Sequence, residues 1–210
     1  MQLLLSKLLN YVLLATKEQN IDESHGILHS LNVIDYSYKI YEEELPKSPR
    51  LINDLKIIIA SAAIHDMCDH KYINVTQGTQ NIENYLMKET TMTNEEISVT
   101  TNIITSMSYS KVKLNGYPEL GKYQQAYHIV READLLSSYD FNRAVIYDMT
   151  KNNCTMKEAF DNSYKLFYKR MFQYCNNEVF VHDYSKKEAH KLHSNSMKQI
   201  NNWRKLLKYK

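Results

Sequence analysis

Eight consecutive residues, Ile57-Ile58-Ile59-Ala60-Ser61-Ala62-Ala63-Ile64, constrain this chain more than any other stretch. The run carries no polar stripe, and a helix that is apolar all round must be buried. It leads directly into His65-Asp66. An imidazole and a carboxylate at the end of a buried helix are costly to desolvate unless something coordinates them or pairs with them. One short segment therefore predicts both a core element and a candidate site.

The remaining sequence reads as helical nearly throughout, and an all-α fold is expected. Only four Gly and three Pro among 210 residues disfavour a turn-rich β-protein, and a hydrophobic content of 43% supports a sizeable core. Ser24 is the expected N-cap of a helix from His25 to about Glu44, stopped by Pro46. Ser48-Pro49 opens the helix that carries the apolar run. Helical segments near 74–89, 93–107, 119–138, 141–151 and 155–176 follow. Thr93 with Glu96, and Thr155 with Glu158, offer capping boxes. The stretch 111–121, with Gly116, Pro118 and Gly121, reads as the one long loop. A basic helix from about 185 to 209 closes the chain.

Length fits one domain, with a peripheral C-terminal helical extension from about 155 to 210. Met1 to Asn10 reads as an amphipathic first helix rather than a targeting segment, because Lys7 and Asn10 interrupt its apolar stretch. No segment approaches the roughly 20 apolar residues of a membrane span. Cys68, Cys154 and Cys175 form no CxxC spacing, which suits a reducing compartment, and a cytoplasmic setting is expected. A formal net charge of +2 gives no overall field pointing to nucleic acid.

Two more candidate ligands accompany His65 and Asp66: His29 upstream and Asp134 downstream. Alone, His29 reads equally as a satisfied core histidine, and pairing with a basic neighbour such as Arg131 is the lesser alternative for Asp134. Together the four make a mixed nitrogen and oxygen set suited to one divalent ion: Mn, Fe, Co, Ni or Zn, with Mg possible. Asp69 lies four residues after His65 and three after Asp66, and if the helix continues all three share a face. It is the candidate catalytic carboxylate, able to orient a water or take its proton. Lys71 can offer an ammonium to phosphate. His25, four before His29, is a secondary candidate for phosphate contact, and Arg131 and Arg143 are possible helpers. Arg143 reads equally well as a partner of Asp140. A second His-Asp pair, His182-Asp183, precedes what looks like a capping box from Ser185 to Glu188. There the pair reads as ordinary polar chemistry at a helix start.

The order H…HD…D is that of the HD phosphohydrolase superfamily. Over about residues 22–150 the chain resembles small single-domain bacterial HD hydrolases in three stretches. Ser24-His25-Gly26-Ile27-Leu28-His29-Ser30-Leu31-Asn32-Val33 is similar to their SHDxxHxxRV opening. His65-Asp66-Met67-Cys68-Asp69-His70-Lys71-Tyr72 is similar to HDIxDxKF, and His128 to Leu136 to xIVxDADxLD. The resemblance implies an HD-type helical bundle in which His29, His65, Asp66 and Asp134 hold a divalent ion. It also implies that Asp69 and Lys71 serve catalysis or phosphate binding. Gly26 and Asn32 stand where those enzymes usually have Asp and Arg. Ser106-Met107-Ser108 replaces a His-Ser pair after the fifth helix. Ser106-Met107-Ser108-Tyr109-Ser110-Lys111-Val112, together with the stretch from Arg131 to Arg143, also resembles uncharacterised HD proteins of algae and large DNA viruses.

The expected function is hydrolysis of a nucleotide or related small phosphate ester by metal-activated water, leaning towards nucleotide pyrophosphate cleavage. Alternatives within enzymes are a 5'-nucleotidase, an alarmone hydrolase and a di-iron oxygenase. The alarmone enzymes carry an acidic HDxxED segment where this chain has His70. Outside enzymes, a metal- or nucleotide-binding module is the alternative. Nucleic-acid binding through the basic final helix is another, with Trp203 and Tyr209 as interleaved aromatics, although such a helix is more often a solvated face.

Overall fold

The computed structural model describes residues 1–208, so Tyr209 and Lys210 of the expected basic helix lie outside the described residues. Ten α-helices occur among them: α1 (Gln2–Glu18), α2 (Ile27–Glu44), α3 (Leu55–Ile64), α4 (Val75–Glu89), α5 (Asn94–Ser106), α6 (Tyr109–Asn115), α7 (Gln124–Ser137), α8 (Phe141–Asn152), α9 (Met156–Lys169) and α10 (Asp183–Leu206). No strand is present among the described residues, and the fold is all-α. None of these helices is long and apolar enough to cross a membrane.

The apolar run is the whole of the buried part of α3, from Ile57 to Ile64. Its lack of a polar stripe has a direct cause, since α3 lies between two hydrophobic cores. Ile57, Ile58 and Ala62 join a core built with α2, α7 and the C-terminal helices. Ile59, Ala60, Ala63 and Ile64 join a second core with α1, α4 and α5. In α1, Leu8, Tyr11, Val12 and Ala15 form the i, i+3, i+4, i+7 stripe that packs there. In α2 the buried positions His29, Val33, Ser37, Ile40 and Glu44 recur at the same helical spacing.

Several sequence expectations about helix ends are corrected. Ser24 does not cap a helix beginning at His25. Asp22 caps a short 3-10 turn over Glu23–His25, and α2 starts at Ile27 behind Gly26. Pro49 opens a 3-10 turn, Pro49–Asn53, before α3 proper. Much of the expected loop at 111–121 is helical, because Ser108 caps α6 and Gly116, at φ 75°, ends it. The final helix starts at Asp183 rather than Ser185, so no capping box forms there. The boxes at Thr93/Glu96 and Thr155/Glu158 do form.

Past Ile64 the chain leaves the α-helix in tight turns, with Met67 N–H bonding Ile64 O at 3.0 Å and Asp69 N–H bonding Asp66 O at 3.1 Å. The back of this segment is pressed against α4 at Gly78. A Cβ added to Gly78 would meet Cys68 Cβ at 2.9 Å and Cys68 Cα at 3.0 Å. Gly78→Ala is therefore expected to destabilise the protein by about 1–2 kcal/mol, overpacking outweighing a gain of about 1 kcal/mol in helix propensity. Urea unfolding of the two proteins would check it; equal or greater stability of the variant would contradict it.

Candidate metal centre and cavity

The N-terminal end of α2 meets the C-terminal ends of α3 and α7, and three ligand-bearing segments converge there. His29 Nε2 and His65 Nε2 are 3.0 Å apart. Asp66 Oδ2 lies 3.2 Å from each of them. Asp134 Oδ1 lies 3.4 Å from His29 Nε2 and 3.7 Å from His65 Nε2. Both imidazoles are buried, and both carboxylates keep part of their surface open. Asp134 therefore faces the histidines and forms no ion pair with Arg131.

The tautomers follow from the other ring nitrogens. His65 Nδ1 donates to Ala62 O at 3.0 Å. The Ser137 hydroxyl donates to Asp134 O at 2.8 Å, so at 3.3 Å it accepts from His29 Nδ1. Both Nε2 atoms thus present lone pairs towards each other and towards two carboxylates. Asp66 Oδ2 is buried and lacks an aligned hydrogen-bond donor despite its two neighbours at 3.2 Å. Such a convergence of lone pairs is stable only around positive charge. Burial opposes a charged His65, yet Asp66 and then Asp134 raise it to about 9. Burial likewise opposes ionisation of Asp66, and the imidazoles of His65 and His29 still hold it well below the usual carboxylate range. His29, His65 and Asp66 fit together around a single ion, with Asp134 beside them.

A cavity of about 360 Å³ opens over these ligands. Asp69 and Lys71 line it, but not as successive faces of one helix, because α3 has already ended. Asp69 Oδ1 accepts from Lys71 N–H at 3.0 Å and lies 3.0 Å from His70 Nδ1, while Oδ2 is 3.4 Å from Lys71 Nζ. His25 also lines the cavity. Its Nδ1 is 2.7 Å from Ser24 Oγ and 3.2 Å from Tyr72 OH, and both hydroxyls donate to Asp22. His25 Nδ1 is then the donor and Nε2 the free lone pair. Burial, opposed by Asp66 and assisted by Lys71 and Arg143, lowers His25 to about 4, so the ring is neutral at pH 7. Arg143 donates from Nη1 to Ser24 O at 2.9 Å. Asp140 meets only its backbone, as the α8 N-cap.

Arg131 is a correction. It is 2% exposed and lies outside the cavity lining. Its Nη2 donates to Val179 O at 2.6 Å and pairs with Glu132 at 3.3 Å, while the guanidinium covers Tyr117. Two residues N-terminal to Asp134 on α7, and so about 200° round the helix, Glu132 points the other way. It accepts from Val181 N–H at 2.6 Å and His182 N–H at 3.2 Å, with His182 Nδ1 at 3.1 Å. Of the second His-Asp pair, His182 thus belongs to a buried clasp, while Asp183 is exposed at the start of α10, 3.8 Å from Lys186. Trp203 donates to Asn142 at 2.8 Å, so this aromatic of α10 is docked on α8.

Tyr147 and Arg170 line the cavity and were not singled out in the sequence. Tyr147 lies four residues after Arg143 on α8, so helical spacing could have found it. Arg170, just past α9, carries no local signal.

No protein-family model matches the chain, and no curated protein matches it in sequence. Among solved structures, a Lactobacillus plantarum protein determined as a Northeast Structural Genomics target superimposes with a TM-score of 0.71 at 17% identity. That match covers 100% of this chain and 99% of the other. YpgQ of Bacillus subtilis, in complex with ADP, superimposes with a TM-score of 0.67 at 20% identity, covering 96% of each chain. At these identities the likeness is one of fold, and it extends through the C-terminal helices.

Proposed function

We propose that this chain is a divalent-metal-dependent phosphohydrolase acting on a nucleotide or related small phosphate ester, leaning towards pyrophosphate cleavage. The observation that carries the reading is the convergence of His29, His65, Asp66 and Asp134 at the floor of a cavity walled by basic side chains. Support comes from the motif resemblance to HD hydrolases and from a structural neighbour crystallised with ADP. A cavity of this volume is in the range of small-ligand sites.

In this reading the four ligands hold the ion, which when bound acidifies a water and offsets charge on a phosphoryl oxygen. Asp69 accepts a proton from the attacking water. Lys71, 3.4 Å from Asp69, contributes its ammonium to the phosphate. Arg143 adds a second cation from α8. His25, held by Ser24 and Tyr72, offers Nε2 to the same cavity.

Product analysis by phosphorus NMR on a nucleotide panel with added Mn²⁺ tests the proposal. Pyrophosphate with nucleoside monophosphate would mark a pyrophosphohydrolase, and orthophosphate with nucleoside a nucleotidase. A folded, metal-loaded protein that leaves every nucleotide intact would overturn the reading. Metal binding should also depend on pH with a defined sign. Below about 9 the metal-free site holds a proton on His65, which the ion must displace. Affinity for Mn²⁺ is thus expected to rise about tenfold per pH unit from 6 to 8. Calorimetric titrations in buffers of different ionisation enthalpy would count the released proton, and a pH-independent affinity would contradict the assignment.

A further inference from the structure

Part of the cavity wall, Leu166, Arg170 and Met171, comes from beyond the stretch that resembles HD hydrolases. There α9 ends, and Arg170 stands half-buried among the lining residues with Tyr109, Leu166 and Met171. Its guanidinium is fixed on two sides. The face lies over the Tyr109 ring at 4.7 Å, and Nε donates to the hydroxyl of Tyr174 at 2.7 Å. Tyr174 itself is completely buried, so this anchor does not move freely.

What Arg170 lacks is a counter-charge. Elsewhere the basic side chains near acids are paired: Arg50 with Asp54 at 3.9 Å, Arg131 with Glu132 at 3.3 Å and Lys71 with Asp69 at 3.4 Å. Lys111, also on this wall, gives its ammonium to Thr105 O. Among the described residues, no carboxylate forms an ion pair with Arg170. A neutral phenol and a ring face only partly replace the water that a half-buried guanidinium loses. With Nε engaged and the face covered, the outer edge carrying Nη1 and Nη2 is the remaining donor fork. That geometry matches two oxygens of one phosphate.

We propose that Arg170 is a phosphate-binding residue of this cavity, aimed by Tyr109 and Tyr174, so that α9 completes the site. The inference rests on the phosphate-ester reading above for its ligand class. It adds a residue and an element that the motifs do not contain. Tyr174 is a positioning residue, acting through Nε of Arg170.

Binding rather than turnover tests it. Orthophosphate and ADP are titrated separately into Mn²⁺-loaded wild type, Arg170→Gln, Arg170→Lys and Tyr174→Phe, with Mn²⁺ affinity and melting temperature measured on each. Arg170→Gln is expected to weaken both anions about tenfold or more while Mn²⁺ affinity and melting stay unchanged. Arg170→Lys should recover only part of the loss, because an ammonium cannot keep the stack and the fork together. Tyr174→Phe should lose less, in the same direction. Unchanged anion affinity in Arg170→Gln would overturn the role of Arg170 and leave the phosphate-ester reading standing. Wild type that binds neither anion would overturn both. Loss of Mn²⁺ affinity or of melting temperature together with anion binding would mark Arg170 as structural only. If Arg170→Gln does not fold, Arg170→Lys carries the same comparison.

Discussion

Asp66→Ala is expected to lower divalent-metal affinity by more than about a hundredfold and to remove hydrolysis with it. Changes to groups that merely support a metal ligand commonly cost 10–100-fold, and Asp66 is proposed as a direct ligand. Its Oδ2 is 3.2 Å from both imidazole nitrogens, nearer to each than Asp134 Oδ1 at 3.4 and 3.7 Å. The folded state should survive. Asp66 contributes little packing, and removing it lets His65 return towards neutrality, which burial favours. Thermal melts with and without Mn²⁺ separate the two effects: a ligand-induced rise in wild type and none in the variant. Wild-type affinity in Asp66→Ala would remove the metal centre from the account.

The largest effect on stability is expected at a residue with no part in the chemistry. Glu132 is fully buried and accepts from two backbone N–H groups, from His182 and from Arg131. Glu132→Ala leaves those donors without an acceptor and strands the Arg131 charge in the core, at a cost of about 3–5 kcal/mol. For a chain of this length that is a fall in melting temperature of roughly 6–20 °C. The contribution also depends on pH. Burial opposes the ionised form, but His182 and the Val181 N–H hold Glu132 below its ordinary value. A depressed carboxyl stabilises the fold above its unfolded value of about 4.3 and loses that contribution as pH falls through the folded value. Wild type and Glu132→Gln should therefore converge in stability on acidification below pH 4. Parallel melting curves from pH 7 to pH 3 would refute the clasp.

The fold class was legible in local signals, an apolar run and helical spacing, whereas His29, His65, Asp66 and Asp134 were joined by their order along the chain and by the resemblance to HD hydrolases. Asp69 was found for an incomplete reason, since a turn and not a continued helix carries it to the cavity. Arg131 was misassigned because sequence adjacency to Asp134 says nothing of facing. Three positions along a helix leave two side chains only about 60° apart, and it is Val179 O, Glu132 and the Tyr117 ring that take the guanidinium away from the cavity. Arg170 was invisible because it lies past the end of α9 and only tertiary packing lays Tyr109 against its guanidinium. Helix ends at Ser24 and Ser185 were misplaced because several polar residues in each stretch offer competing caps.

The double burial of α3 has a consequence for where this protein can yield. An element gripped by two cores opens only when both come apart, so His65 and Asp66 hang from the part of the chain that fluctuates least. The opposite wall, built from α6, α8 and the end of α9, joins the rest through fewer shared faces. On the proposed function, accommodation of ligands of different size falls to that wall, while the spacing of the four metal-type side chains stays fixed.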